Sequence, residues 1–111
     1  MRRGEIYFAN LDPTVGSEIK KKRPVLIVSN DANNKASNTI TIVPLTSNVK
    51  KIFPFEVFLK SIDVKLPKDS KAQCQQIRTI SKLRLSGKCV ARVDDKIMRQ
   101  LEVALCLHLD L

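Results

Sequence analysis

Four consecutive cations, Lys20, Lys21, Lys22 and Arg23, stand directly before Pro24 and the apolar run Val25–Val28. A guanidinium fork fits two phosphate oxygens and stays charged at any physiological pH. Lysines beside it are flexible point charges that follow a phosphate backbone without reading its sequence. Such a run is often no more than a solvated charge patch. Here it ends at the mouth of a strand-like segment, which favours an anion funnel. Glu18 is the nearest acid to Arg23 in sequence. It orients that arginine, accepts a proton, or neutralises the neighbouring lysines. Two hydroxyls, Thr46 and Ser47, close a later strand-like segment, and Arg78 follows three glutamines, Gln73, Gln75 and Gln76. Arg78 suits either a phosphate or an acid inside the fold.

Other chemistry is thinly supplied. His108 is the only histidine, so one subunit cannot hold a two-histidine acid–base pair. On an apolar helix face it reads as packing. Cys74, Cys89 and Cys106 are far apart and form no C-x-x-C, so they read as reduced thiols in a cytosolic core. No metal and no cofactor is expected.

The totals agree with a polyanion partner: 20 basic residues against 11 acidic give a net charge of +9. No apolar run approaches the ~20 residues of a membrane-spanning helix. The 111 residues fit one domain, over 1–111. A cytoplasmic protein is expected, with part of its apolar surface covered by oligomerisation.

The elements that must position these residues are short. Glu5 to Leu11, Val25 to Ser29, Thr39 to Leu45, Phe55 to Leu59, Ser70 to Ile80 and Lys88 to Val93 read as strands. Pro24 is expected at a strand's first residue, and Pro44 at an edge or bulge. Asn30 to Asn38 reads as a polar connection, and Ser81 to Ser86 as a single helical turn. Asp94 caps a last helix, with Ile97, Met98, Leu101, Ala104, Leu105 and His108 on one face. Many short strands with Pro and Gly turns, then one helix, predict a mainly β fold, a small antiparallel barrel. Strand alternation places Gln73 and Gln75 on one face and Gln76 on the other.

Four stretches, Arg3 to Glu18 (RGEIYFANLDPTVGSE), Arg23 to Asp31 (RPVLIVSND), Ile42 to Ser47 (IVPLTS) and Gln76 to Leu85 (QIRTISKLRL), carry a resemblance. In order and spacing the chain resembles the MazF/PemK family of toxin–antitoxin ribonucleases. The resemblance implies an SH3-like barrel with added helices, forming a homodimer. It implies an endoribonuclease that cuts single-stranded RNA at short sequences without a metal. It implies a cognate antitoxin whose acidic, disordered tail blocks the RNA groove. It makes Arg23 and Thr46 the catalytic pair. Three departures stand out: Ile19-Lys20-Lys21-Lys22 where relatives often have glycines, Gln73 and Gln75 where some have acids, and Ser81 where an aspartate is common.

RNA cleavage by its own 2′-hydroxyl needs a base, an acid and stabilisation of a negatively charged phosphorane. Arg23 suits the last of these, and Thr46 or Ser47 beside it suits a hydrogen bond to a nonbridging oxygen. Lys20, Lys21 and Lys22 then track the backbone. The amides of Gln73 and Gln75 can read base edges on an unpaired strand. Two other classes fit the same fold: a non-catalytic toxin that inhibits DNA gyrase, and a plain RNA-binding module. The intact Arg23 and Thr46 motifs favour the enzyme.

Overall fold

The computed structural model describes residues 1–111. Seven strands form one antiparallel sheet: Glu5–Asn10 (β1), Lys22–Ile27 (β2), Thr39–Thr46 (β3), Glu56–Leu59 (β4), Ser70–Gln73 (β5), Arg78–Ser81 (β6) and Leu85–Arg92 (β7). Its order is β4-β5-β3-β2-β1-β7, with β6 also on β3. The ladders do not close into a hydrogen-bonded ring. The mainly β fold with a C-terminal helix stands as expected, and the sheet is barrel-like without being sealed.

β3 is the hub. It pairs with β2 through Val25↔Pro44, Leu26↔Val43 and Ile27↔Ile42. On its other flank it meets β6 from Thr39 to Ile42 and β5 at Leu45 and Thr46. Pro44 is therefore buried in a central strand, not at an edge. It is tolerated because β3 changes partners there, and neither β5 nor β6 pairs with it.

β2 and β3 bury both faces. Val25, Leu26 and Ile27 have no exposed surface, nor have Ile40, Ile42, Val43 and Leu45. Alternation splits them. Leu26, Val43 and Leu45 join Ile6 and the helix residues Met98, Leu101 and Ala104 in one cluster. Val25, Ile27, Ile40 and Ile42 join Ala9, Leu11 and Ile80 in the other. The helix Asp95–Leu109 (α3) starts where the Asp94 carboxylate accepts the Ile97 N–H at 2.9 Å. Each fully buried aliphatic such as Leu101 contributes about 1.5–3 kcal/mol. His108 does not join this face: the last turn of α3 is exposed, and its ring lies 6.4 Å from that of Phe55.

Several local readings change, among them the last strand, which begins at Leu85 and not at Lys88. Asn30 to Asn38 contains a short helix, Asp31–Ala36 (α1), because the Asn30 side chain accepts the Asn33 N–H at 2.8 Å. Another single turn, Ser61–Val64 (α2), precedes β5. The long strand expected from Ser70 to Ile80 is broken by a 3-10 turn, Cys74–Gln76. β2 also begins earlier than expected, at Lys22, so Pro24 is its third residue and Arg23 is a strand residue.

Candidate active site and RNA interface

Continuing the β2–β3 register two residues past Val25↔Pro44 brings Arg23 level with Thr46. The two residues singled out at the start thus sit on adjacent strands at one end of the sheet. Arg23 is half-buried, and its Nε donates to the Lys20 carbonyl at 2.7 Å. The loop that carries the lysines therefore fixes the guanidinium. Glu18 does not: its Oε1 accepts the Val15 N–H at 2.5 Å, inside its own loop.

Arg23 lines an open cleft of about 440 Å³ with Lys21, Lys22, Ser47, Lys68 and the apolar walls Phe8, Leu45 and Leu66. Four cations face this hollow and no carboxylate lines it. The ion pairs of the molecule, Met1–Glu5, Arg3–Glu102 and Glu56–Lys71, use none of the four. The result is a concentration of uncompensated positive charge. Lys68 was missed in the sequence, where its only signal is a cation in the turn after Pro67.

Thr46 is half-buried and stands beside Ser47 on the rim, its Oγ1 accepting the Asn48 N–H at 3.3 Å. Ser47 is exposed and lines the cleft, as does Ser70, whose hydroxyl donates to the Lys68 carbonyl at 3.3 Å. Lys20 and Lys21 remain in the loop. Lys21 has a left-handed backbone (φ 76°), a conformation that suits glycine and costs an ordinary residue stability. The absence of glycine from this segment thus does not prevent a glycine-like turn.

A second hollow, about 220 Å³, is lined by Glu18, Ile19, Pro44, Gln75, Gln76 and Arg78 among others. Arg78 donates to the Leu11 carbonyl at 2.9 Å, so it holds the end of β1 rather than an acid. The expected division of the glutamines fails, because the 3-10 turn rotates residues by about a third of a circle instead of a half. Gln75 and Gln76 share the hollow, while Gln73 sits in β5 opposite Glu56.

Sequence reasoning also missed a buried charged knot. Glu56, whose side chain is 1% exposed, accepts from Lys71 Nζ at 3.0 Å, the Phe53 N–H at 3.0 Å and Gln75 Nε2 at 2.7 Å. Lys71 Nζ also donates to the Lys51 carbonyl at 2.7 Å. Burial pushes the Glu56 pKa up, but the Gln75, Phe53 and Lys71 hydrogen bonds and the Lys71 charge outweigh it, and the carboxyl is held below its ordinary value. Nearby, burial and then the Glu56 charge push the Cys74 thiol up to about 12. The signal in the sequence was a lone Glu within a strand of apolar residues, Phe55 to Leu59.

The family model for the PemK-like, MazF-like toxin of type II toxin–antitoxin systems matches residues 2–109. The chain is 46% identical over 116 residues to "Endoribonuclease MazF9" of Mycobacterium tuberculosis, covering 100% of this chain and 98% of that protein. It is 39% identical over 112 residues to "Endoribonuclease MazF" of Staphylococcus saprophyticus, covering 100% and 92%. Among solved structures, an endoribonuclease in complex with its cognate antitoxin from a mycobacterial species aligns with TM-score 0.81 at 27% identity, covering 100% and 96%. Deinococcus radiodurans MazF aligns with TM-score 0.86 at 22% identity, covering 100% and 97%, a likeness of fold. Sequence, fold and the charged end of the sheet thus agree, and the chain belongs to the PemK-like, MazF-like toxin family of type II toxin–antitoxin systems.

Proposed function

We propose that this endoribonuclease toxin cuts single-stranded RNA at short sequences by attack of the 2′-hydroxyl on the adjacent phosphorus. The bond from O2′ to phosphorus forms as the bond to O5′ breaks; O2′ gives up its proton and O5′ takes one up, leaving a cyclic phosphate and a 5′-hydroxyl. Arg23 meets the charge that builds on the nonbridging oxygens. Thr46, with Ser47 beside it, donates a hydrogen bond to one of them. Lys21, Lys22 and Lys68 hold the flanking phosphates, and Lys20 fixes Arg23 through its carbonyl. A guanidinium supplies the electrostatic service often given by a metal, so cleavage is expected to persist in chelator. The observation that carries this reading is the open cleft in which Arg23 and three lysines meet no carboxylate.

The same cleft fits the acidic tail of a cognate antitoxin, which would neutralise it and exclude RNA. The working form is a homodimer in the cytoplasm. Val103, Leu107 and Leu111 recur every four residues at 69%, 56% and 87% exposure, with Phe58 at 40%, and a second copy covers them. No specific observation favours the gyrase inhibitor or the plain RNA-binding module.

The test is cleavage of a long RNA by purified protein in chelator. Cuts at a short recurrent sequence are expected, with 5′-hydroxyl ends. Arg23→Ala abolishes them, and Thr46→Ala lowers the rate about 10²–10³-fold. Undiminished cleavage by Arg23→Ala overturns the site.

A further inference from the structure

We propose that the smaller hollow beside Gln75 is a base pocket, which takes one unpaired RNA base bearing an exocyclic amino group, with Gln75 Oε1 as its acceptor. The inference rests on the RNA-cleavage reading above and deepens it.

The orientation of the Gln75 amide is fixed. Its Nε2 donates to Glu56 Oε2 at 2.7 Å. Ionised Glu56 only accepts, and its other oxygen already takes Lys71 Nζ and the Phe53 N–H. A flipped amide would set oxygen against oxygen. Gln75 Oε1 must therefore point away from Glu56, and it is buried without any hydrogen-bond partner. Buried acceptors in folded proteins are rarely left so.

Gln75 lines the hollow of about 220 Å³, in which Ile19 and Pro44 supply apolar wall and Glu18 a carboxylate. Gln75 Oε1 and the free Glu18 Oε2 are the acceptors of this lining, Glu18 Oε1 already taking the Val15 N–H, and Arg78 is its cationic donor. An amino group brings two hydrogens to such a pair. Unpaired uracil brings a single donor, N3–H, set between two carbonyls, so it can serve only one of the two acceptors and turns lone pairs on the other. The pocket therefore takes adenine, cytosine or guanine in preference to uracil.

The wall facing the 3-10 turn Cys74–Gln76 is the loop before Arg23. It is fastened by two long hydrogen bonds, Ile19 N–H to Gln76 Oε1 at 3.3 Å and Gln76 Nε2 to the Ser17 carbonyl at 3.4 Å. Gln75 Oε1 has no open surface as the loop stands, so an entering base must displace Ser17–Ile19 to reach it. Because the same loop holds Arg23 through Lys20, base binding also bears on the guanidinium.

The experiment measures kcat/KM on a short RNA containing the mapped cleavage sequence. Each amino-bearing base is replaced singly by its amino-free analogue: purine riboside, inosine or 2-pyrimidinone riboside. At one position a loss of about tenfold is expected. Gln75→Met should cleave the native RNA about tenfold more slowly and be indifferent to that analogue. Should Gln75→Met fail to fold, Gln75→Asn, which withdraws the oxygen by one methylene, takes its place. No amino-sensitive position, or a sensitivity undiminished in the Gln75 variant, overturns the pocket. In either case an inactive Arg23→Ala leaves the cleavage reading standing, whereas an active one overturns that reading itself.

Discussion

Two groups of lysines lie near the end of β3 and are used in opposite ways. Lys21, Lys22 and Lys68 face a cleft without any carboxylate, and their charge is open to solvent and ligand. Lys71, on the strand paired with Thr46, is buried and bound to Glu56 and to the Lys51 carbonyl. Free charge attracts a polyanion and contributes little to stability. Enclosed charge attracts nothing and holds a loop, a strand and the Gln75 amide in one arrangement. Position in the fold, not residue type, separates a binding cation from a structural one.

The largest effect should come from breaking the enclosed group. Lys71→Met leaves the Glu56 carboxylate buried without its cation, and unfolding by urea should show a loss of about 3–5 kcal/mol. Glu56→Leu combined with Lys71→Met should recover most of it, because no unpaired charge remains. If the single and double variants lose equally, the pair is not what the region depends on.

Acid should act on the same group. Glu56 is held below its ordinary 4.5, so its contribution is complete above that pH and is lost as the pH falls through the lower folded value. The melting temperature should drop below pH 4.5, and Glu56→Gln should flatten that drop. An unchanged acid limb in this variant would assign the loss to other carboxyls.

The open group should respond through salt instead. Lys22→Ala or Lys68→Ala should each reduce the slope of log K against log [salt] for single-stranded RNA by about 0.7. Stability should stay within about 0.5 kcal/mol of the parent. An unchanged slope would remove that lysine from the RNA path.

The smallest effect is at Lys21. Lys21→Gly relieves the left-handed backbone and should leave stability equal or up to about 0.5 kcal/mol higher, despite greater freedom in the unfolded chain. A clear loss would mean that the Lys21 side chain supports the loop.

Much of this was legible from local pattern. The run around Val25 reads as a buried strand, Thr39 to Leu45 as a strand though not as the central one it is, and Asp94 with Ile97, Met98 and Leu101 as a capped amphipathic helix. The basic run Lys20–Arg23 stood out by its charge before Pro24, whereas the pairing of Arg23 with Thr46 came from the family resemblance. The break at Cys74–Gln76 was hidden, since polar Gln73, Gln75 and Gln76 suit an exposed strand and a tight turn equally. Asn30 looked like turn chemistry and is a helix cap, the two roles using the same side-chain oxygen.

Local spacing determined the strands, the last helix, the excess of positive charge and the chemical types available for phosphate. Those depend on near neighbours and on composition, which any reading of the chain contains. Tertiary structure decided which lysines stay free, that Lys68 joins Arg23, that Glu56 closes on Lys71, and that the Gln75 oxygen is left over. Each of these depends on residues distant in sequence meeting across β3 and its neighbours, and on how far that meeting excludes water.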